Sequence, residues 1–160
     1  GDLMNAVVLC VGKLKEDWQR EACQEYLKRL TRYGSFEVVE VPDQPEPEKA
    51  SEAQIAQILE KEGRELLRRI RSEDRVVALA IKGAAPDSVE LSSMLSGWAD
   101  GRRLVLVIGG SLGLSPEVLK RADARLSFSN LTFPHALMRV ILLEQLYRSC
   151  RILAGQKYHK

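Results

Sequence analysis

Two stretches of the chain carry residue types that suit ligand chemistry. The first is Val107-Ile108-Gly109-Gly110-Ser111-Leu112-Gly113, at the end of the most apolar run. Glycines there let backbone amides approach a ligand closely, because no Cβ stands in the way. A dinucleotide fingerprint requires Gly-x-Gly-x-x-Gly, and the glycines here fall at 109, 110 and 113, so that pattern is not met. No Gly-Lys-Ser/Thr follows, which removes a phosphate-cradling P-loop. The second stretch is Leu126-Ser127-Phe128-Ser129-Asn130-Leu131-Thr132-Phe133-Pro134-His135. Phe128 and Phe133 could wall a flat base, and Asn130 tolerates left-handed backbone geometry. Thr132 is placed to cap a following helix, with Pro134 in its first turn. Each stretch also has a plainer reading, a tight strand-to-helix turn for the first and ordinary core aromatics for the second.

Little else in the chain points to chemistry. Cys10, Cys23 and Cys150 are widely spaced, with no Cys-x-x-Cys pair and only His135 and His159 to add to them, so no metal site is expected. The thiols read as small buried hydrophobes in a reducing compartment. Lys plus Arg number 24 against 22 Asp plus Glu, and a net charge of +2 gives little long-range attraction to a polyanion. A free-DNA binder is therefore not indicated. Basic residues do gather at Arg102-Arg103, Lys120-Arg121 and Lys157-Tyr158-His159-Lys160, which leaves room for local phosphate contacts.

Regular elements must position these groups. At 160 residues one compact core is expected, and apolar residues at 45% with charged residues at 29% fit an ordinary globular domain. Residues 4–160 read as one domain, and residues 1–3, ahead of Met4, as an appended remnant. No apolar run spans a bilayer and no signal-peptide pattern opens the chain, so a cytoplasmic location with no membrane is expected. Ala6 to Val11 reads as a strand, and the helical spacing of Trp18, Ala22, Tyr26, Leu30 and Tyr33 as a helix stopped by Gly34. Phe36 to Val41 is a second strand, ended by the prolines at 42, 45 and 47. Ser51 with Gln54 forms a capping box for a long amphipathic helix through Ile70.

The alternation continues with a strand from Arg75 to Ile81, a helix from Ser88 to Ala99 and a strand from Leu104 to Ile108. A short helix opened by Ser115-Pro116, a strand from Ala124 to Phe128 and a final helix starting near Pro134 complete it. Repeated strand-helix alternation predicts an α/β fold, a mainly parallel sheet with helices on both faces. From Leu137 to Leu146 the last helix is apolar on nearly every side, more than one sheet face can bury, so a subunit partner is expected. Unaided, this reading reaches a small-molecule site at two strand ends, near a dimer interface.

The same residues resemble a known family, the SPOUT-class ribosomal large-subunit pseudouridine N3-methyltransferases. The resemblance runs through Ala6 to Leu14, Glu40-Val41-Pro42, Glu60-Lys61-Glu62-Gly63, Ile108 to Gly113, Leu131 to His135, Glu144-Gln145-Leu146-Tyr147-Arg148 and Tyr158-His159-Lys160. It implies a C-terminal trefoil knot, an exception to the rule that chains are unknotted. It implies S-adenosyl-L-methionine as cofactor, held at Leu79, Gly109 and the run Phe128, Ser129, Asn130, Leu131, Thr132 and Phe133. It further implies a homodimer that methylates N3 of a pseudouridine in ribosomal RNA, free or in the assembled ribosome. Catalytic roles are implied for Arg148, Tyr158, His159 and Lys160, with the tail reaching a site across the dimer. The residues alone read more simply, as an Arg148–Glu144 pair one helical turn apart and a frayed terminus. Two departures are visible, Ala84 after Ile81-Lys82-Gly83 and Asn130 in the second stretch. The alternatives are a knotted methyltransferase acting on another RNA site and a non-catalytic nucleotide-binding module on the same strand-end loops.

Overall fold

A computed structural model describes residues 3–158. Its elements alternate as the apolar periodicity dictates: β1 Met4–Val11, α1 Asp17–Leu30, a short 3-10 turn Thr31–Tyr33, β2 Gly34–Val41, α2 Glu52–Arg68, β3 Arg75–Ala84, α3 Ser88–Trp98, β4 Leu104–Ile108, α4 Pro116–Arg121, β5 Ala124–Leu126 and α5 His135–Leu153. All strands run parallel in the order β2-β1-β4-β3-β5. Parallel strands need crossover connections, and helices supply them here on both faces.

Side chains that alternate along each strand divide the core in two. Ala6, Val8 and Cys10 of β1 with Leu104 and Leu106 of β4 face α1, α3 and α5, whose Leu30, Leu95, Leu142, Leu143 and Leu146 close that layer. Val7, Leu9, Val105 and Val107 point the other way, onto Leu66 of α2 and Val118 of α4. Helix starts follow from capping chemistry. Ser51 and Asp87 each make the capping box with Gln54 and Glu90, and Ser115 accepts from the Val118 amide with Pro116 in the first turn.

The chain departs from its periodicity around the second stretch. β5 ends at Leu126, two residues short of the expected Phe128, and β3 runs on to Ala84. Leu79 and Ala84 both oppose Leu126 across a register irregularity, and the Ser127 amide donates to the Ala84 carbonyl at 2.8 Å. Residues 127–134 thereby leave the sheet. Thr132 does not cap α5: Pro134 holds the cap position with no side-chain hydrogen bond, and the helix opens at His135. Proline cannot donate a backbone hydrogen bond, so this start needs no donor satisfied there.

Two sequence expectations about surfaces also change. Arg103 is not free for phosphate: its Nε and Nη2 donate to Asp74 Oδ1 and Oδ2 at 3.1 and 2.8 Å, and Nη2 also donates to the Arg69 carbonyl at 2.8 Å. Arg121 Nη2 likewise donates to the Arg71 and Asp74 carbonyls at 3.0 and 3.1 Å. Arg103 ties the start of β4 to that of β3, and Arg121 holds the segment leading into β3. Within one chain α5 packs between α1 and α3, which already cover much of its apolar excess. Leu137 and Ile141 remain half-buried and outside both core clusters.

Candidate cofactor site

An open α/β sheet leaves its ligand crevice at the carboxyl ends of the strands, where loops to the next helices diverge. Here β3, β4 and β5 end around a cavity of about 800 Å³. Leu79 to Ile81 of β3, Ile108 to Leu114 after β4 and Leu126 to Ser129 after β5 form three walls, and Leu131 to His135 with Met138 form the fourth. The structure thus gathers Leu79, Gly109, Phe128, Ser129, Leu131, Thr132 and Phe133 around one space. Asn130 is exposed and does not line it.

The glycine loop is shaped by its own backbone. A Cβ on Gly109 would sit 2.4 Å from the Gly113 carbonyl oxygen, and the Gly113 amide donates to the Gly110 carbonyl at 3.1 Å. Gly109 is therefore required for the loop to close on itself, a different reason from the ligand approach expected from the sequence. Outer bonds hold the loop in place. Ser111 Oγ donates to Glu46 Oε1 at 2.9 Å, and Glu62, buried behind Gly110, accepts from the Gln44 amide at 2.9 Å. Burial raises the Glu62 carboxyl above its ordinary value, opposed by that amide. Glu62 and Gly63 carried the resemblance without an assigned role. A Cβ on Gly63 would lie 2.4 Å from Ser115 Oγ, so this pair sets how closely α2 backs the loop.

The α5 end of the cavity is fixed by a buried cation. Arg139, 1% exposed, pairs with Glu40 at 2.5 Å and donates to the Gly12 carbonyl at 3.1 Å, tying α5 to the ends of β1 and β2. One turn earlier His135 faces the cavity, its pKa lowered first by burial and then by Arg139. Sequence reasoning left His135, Pro134, Met138 and Ile81 out of the site, although His135 closes the motif quoted for the second stretch.

The expected catalytic groups lie elsewhere in this chain. Arg148 pairs with Glu144 at 3.0 Å, and its guanidinium stacks 4.0 Å from the centre of the Tyr158 ring. Tyr158 Oη donates to Glu144 Oε2 at 2.7 Å, and burial with that carboxylate pushes the phenol up to about 12. Neither Arg148 nor Tyr158 lines the cavity. The tail is held against α5, contrary to the expectation that it has nothing to pack on: Tyr33 Oη donates to Gln156 at 2.5 Å and Arg151 to the Lys157 carbonyl at 2.8 Å. His159 and Lys160 lie outside the described residues. Among the described residues no group of three His, Cys, Asp or Glu could hold a metal, and no helix is long and apolar enough to cross a membrane.

Residues 4–159 match the family model described as "Predicted SPOUT methyltransferase". The chain belongs to the SPOUT methyltransferase family. It is 51% identical over 159 residues to ribosomal RNA large subunit methyltransferase H of Bifidobacterium animalis, covering 98% of this chain and all of the relative. The namesake of Alkaliphilus oremlandii is 47% identical over the same spans. Among solved structures, the tRNA (m1G37) methyltransferase of Aquifex aeolicus superposes with a TM-score of 0.52 at 12% identity, over 90% of this chain and 69% of that one. The SpoU methyltransferase AviRb of Streptomyces viridochromogenes, solved with AdoMet, gives 0.50 at 13% identity over 98% and 61%. At such identities the likeness concerns the fold, and the mainly parallel sheet with helices on both faces is that of this SPOUT methyltransferase.

Proposed function

We propose that the protein is an S-adenosylmethionine-dependent methyltransferase that methylates N3 of a pseudouridine in large-subunit ribosomal RNA, as a cytoplasmic homodimer. The observation that carries this reading is the strand-end cavity, in a chain 51% identical over 159 residues to a relative named for large-subunit rRNA methylation. The residues fit the cofactor. The cavity wall is mostly apolar, with Phe128 and Phe133 for an adenine face and the backbone of Ser127, Ser129, Leu131 and Thr132 for its polar edge. Leu79 and Gly109 bound the opposite side.

When bound, S-adenosylmethionine supplies an electrophilic methyl group on a sulfonium sulfur. The protein's own contribution is to align a nucleophile with that methyl and to keep water out. The imide N3 of pseudouridine is protonated at neutral pH, so its anion must be favoured. The Arg148 guanidinium is a described cation suited to stabilising it, and Tyr158, whose hydroxyl proton is given to Glu144, offers the base a ring face and an acceptor oxygen. Both stand away from their own chain's cavity, so we place them, with His159 and Lys160, at the cavity of a second subunit. Leu137 and Ile141 on α5 supply apolar surface for that interface.

The test is incubation with labelled S-adenosylmethionine and, separately, free large-subunit rRNA, large subunits and assembled ribosomes, with the label mapped by mass spectrometry. Label on N3 of one pseudouridine is expected. Label on another RNA position would replace the substrate, and absence of label from every RNA would overturn the reading.

A further inference from the structure

Among the described residues that line the strand-end cavity, His135 is the only one whose side chain titrates. The rest of the wall is leucine, isoleucine, alanine, glycine, serine, threonine, phenylalanine, proline and methionine. His135 Nδ1 is buried and has no hydrogen-bond partner among the described residues. A buried polar atom left unpaired is costly, so a proton placed on Nδ1 would find no acceptor and the neutral ring is favoured. The ring is held in place: its Cε1 packs 3.8 Å from where a Gly12 side chain would begin, and Arg139, one turn along, anchors the same helix to Gly12 and Glu40.

We propose that His135 is a specificity-determining residue of the cofactor site: neutral, it lines the cavity without charge, and when protonated it discriminates against the cationic methyl donor in favour of the demethylated product. This rests on the cofactor reading above. The donor carries a sulfonium charge that the product, a thioether, lacks. In a cavity whose wall has no other ionisable side chain, an imidazolium repels the two ligands unequally.

The groups around His135 favour the neutral ring. Arg139 on α5 and Lys15 after β1 oppose its protonation, and Asp43 after β2 favours it, while burial outweighs each of these. Glu40 draws off part of Arg139's field by pairing with it. The glycine loop and the 127–134 segment contribute no ionisable side chain beside it. The folded pKa is lowered, so the neutral form prevails at neutral pH and is lost as pH falls through that value.

The experiment is calorimetric titration of the full chain with S-adenosylmethionine and with S-adenosylhomocysteine from about pH 8 down to about pH 5, on wild type and His135→Gln. In the wild type the ratio of the donor's Kd to the product's Kd should rise about tenfold across this range. In His135→Gln, which keeps a polar side chain but cannot charge, the ratio should stay flat. NMR of the imidazole, assigned by the resonance that His135→Gln removes, should show the donor lowering its pKa further than the product does. A flat ratio in the wild type, or an identical rise in His135→Gln, would overturn the role of His135 and leave the cofactor assignment standing. Failure of both ligands to bind at any pH would overturn both.

Discussion

Asp74 illustrates what a single side chain does outside the site. Its carboxylate is fully buried, and burial alone would raise its pKa, but the forked hydrogen bonds from Arg103 and the Arg71 amide outweigh it and hold the group below its ordinary value. A carboxyl whose folded pKa is depressed stabilises the fold above its unfolded pKa, and that contribution is lost as pH falls through the folded value. Asp74→Asn should therefore cost about 3 kcal/mol at neutral pH, because Arg103 is left uncompensated. The gap to wild type should narrow at acid pH, below the depressed folded value, where the wild-type carboxyl is also protonated. Denaturant titrations at both pH values check this, and an unchanged gap would assign the cost to packing alone. Glu40→Gln belongs to the same class. Glu40 is partly exposed, so loss of its pair with Arg139 should cost about 2 kcal/mol by the same titration. Neither pair was legible in the sequence. Arg103 read as a basic cluster with its neighbour, and residue type does not tell which arginine is already engaged by a carboxylate brought in by a different strand.

Elements were far more legible than contacts, and the reason is physical. A two-residue or 3.6-residue apolar period survives any tertiary arrangement, so β1, β2, β4 and the helices α2 and α3 appear in the structure within two residues of where periodicity put them. The errors collect where backbone groups find partners outside their own element. The Ser127 amide goes to Ala84, which stops β5 early and sends residues 127–134 out to form the cavity wall. The glycine loop read as a candidate ligand loop and lines the cavity, yet the constraint at Gly109 is the Gly113 carbonyl facing it, which spacing does not reveal. Gly109→Ala should accordingly force the loop to shift. A drop of about tenfold or more in S-adenosylhomocysteine affinity is expected, with the cooperative unfolding transition retained. Calorimetry and a thermal melt on the same sample decide it, since unaltered affinity would mean the loop's closure on itself does not matter to the ligand.

At the scale of the molecule, strand order and the relation between subunits lie beyond any local pattern. The parallel sheet followed from alternation, but the order β2-β1-β4-β3-β5 did not, and the expected knot came from family resemblance because a chain crossing leaves no trace in hydrophobic period. The apolar excess of α5 suggested a partner, and α1 and α3 of the same chain account for much of it, leaving Leu137 and Ile141. Sedimentation at micromolar concentration should still give a dimer, and a monomer active under the same conditions would remove that part of the proposal. The proposed dimer matters because Arg148 and Tyr158 stand outside their own cavity, held by Glu144 on α5. Residues 158–160 bring an aromatic, an imidazole and an ammonium group to one short tail, chemistry suited to stacking on a base and meeting phosphates. Their removal should abolish methyl incorporation into ribosomal RNA while cofactor affinity and dimerisation remain, because the cavity wall and α5 are left whole. Paired measurements on the truncated protein separate the two: calorimetry with S-adenosylhomocysteine, and label incorporated into ribosomes. If incorporation persists, the tail is a docked terminus and nothing more, and the burden of favouring the imide anion falls on Arg148 or on His135 in the cavity itself.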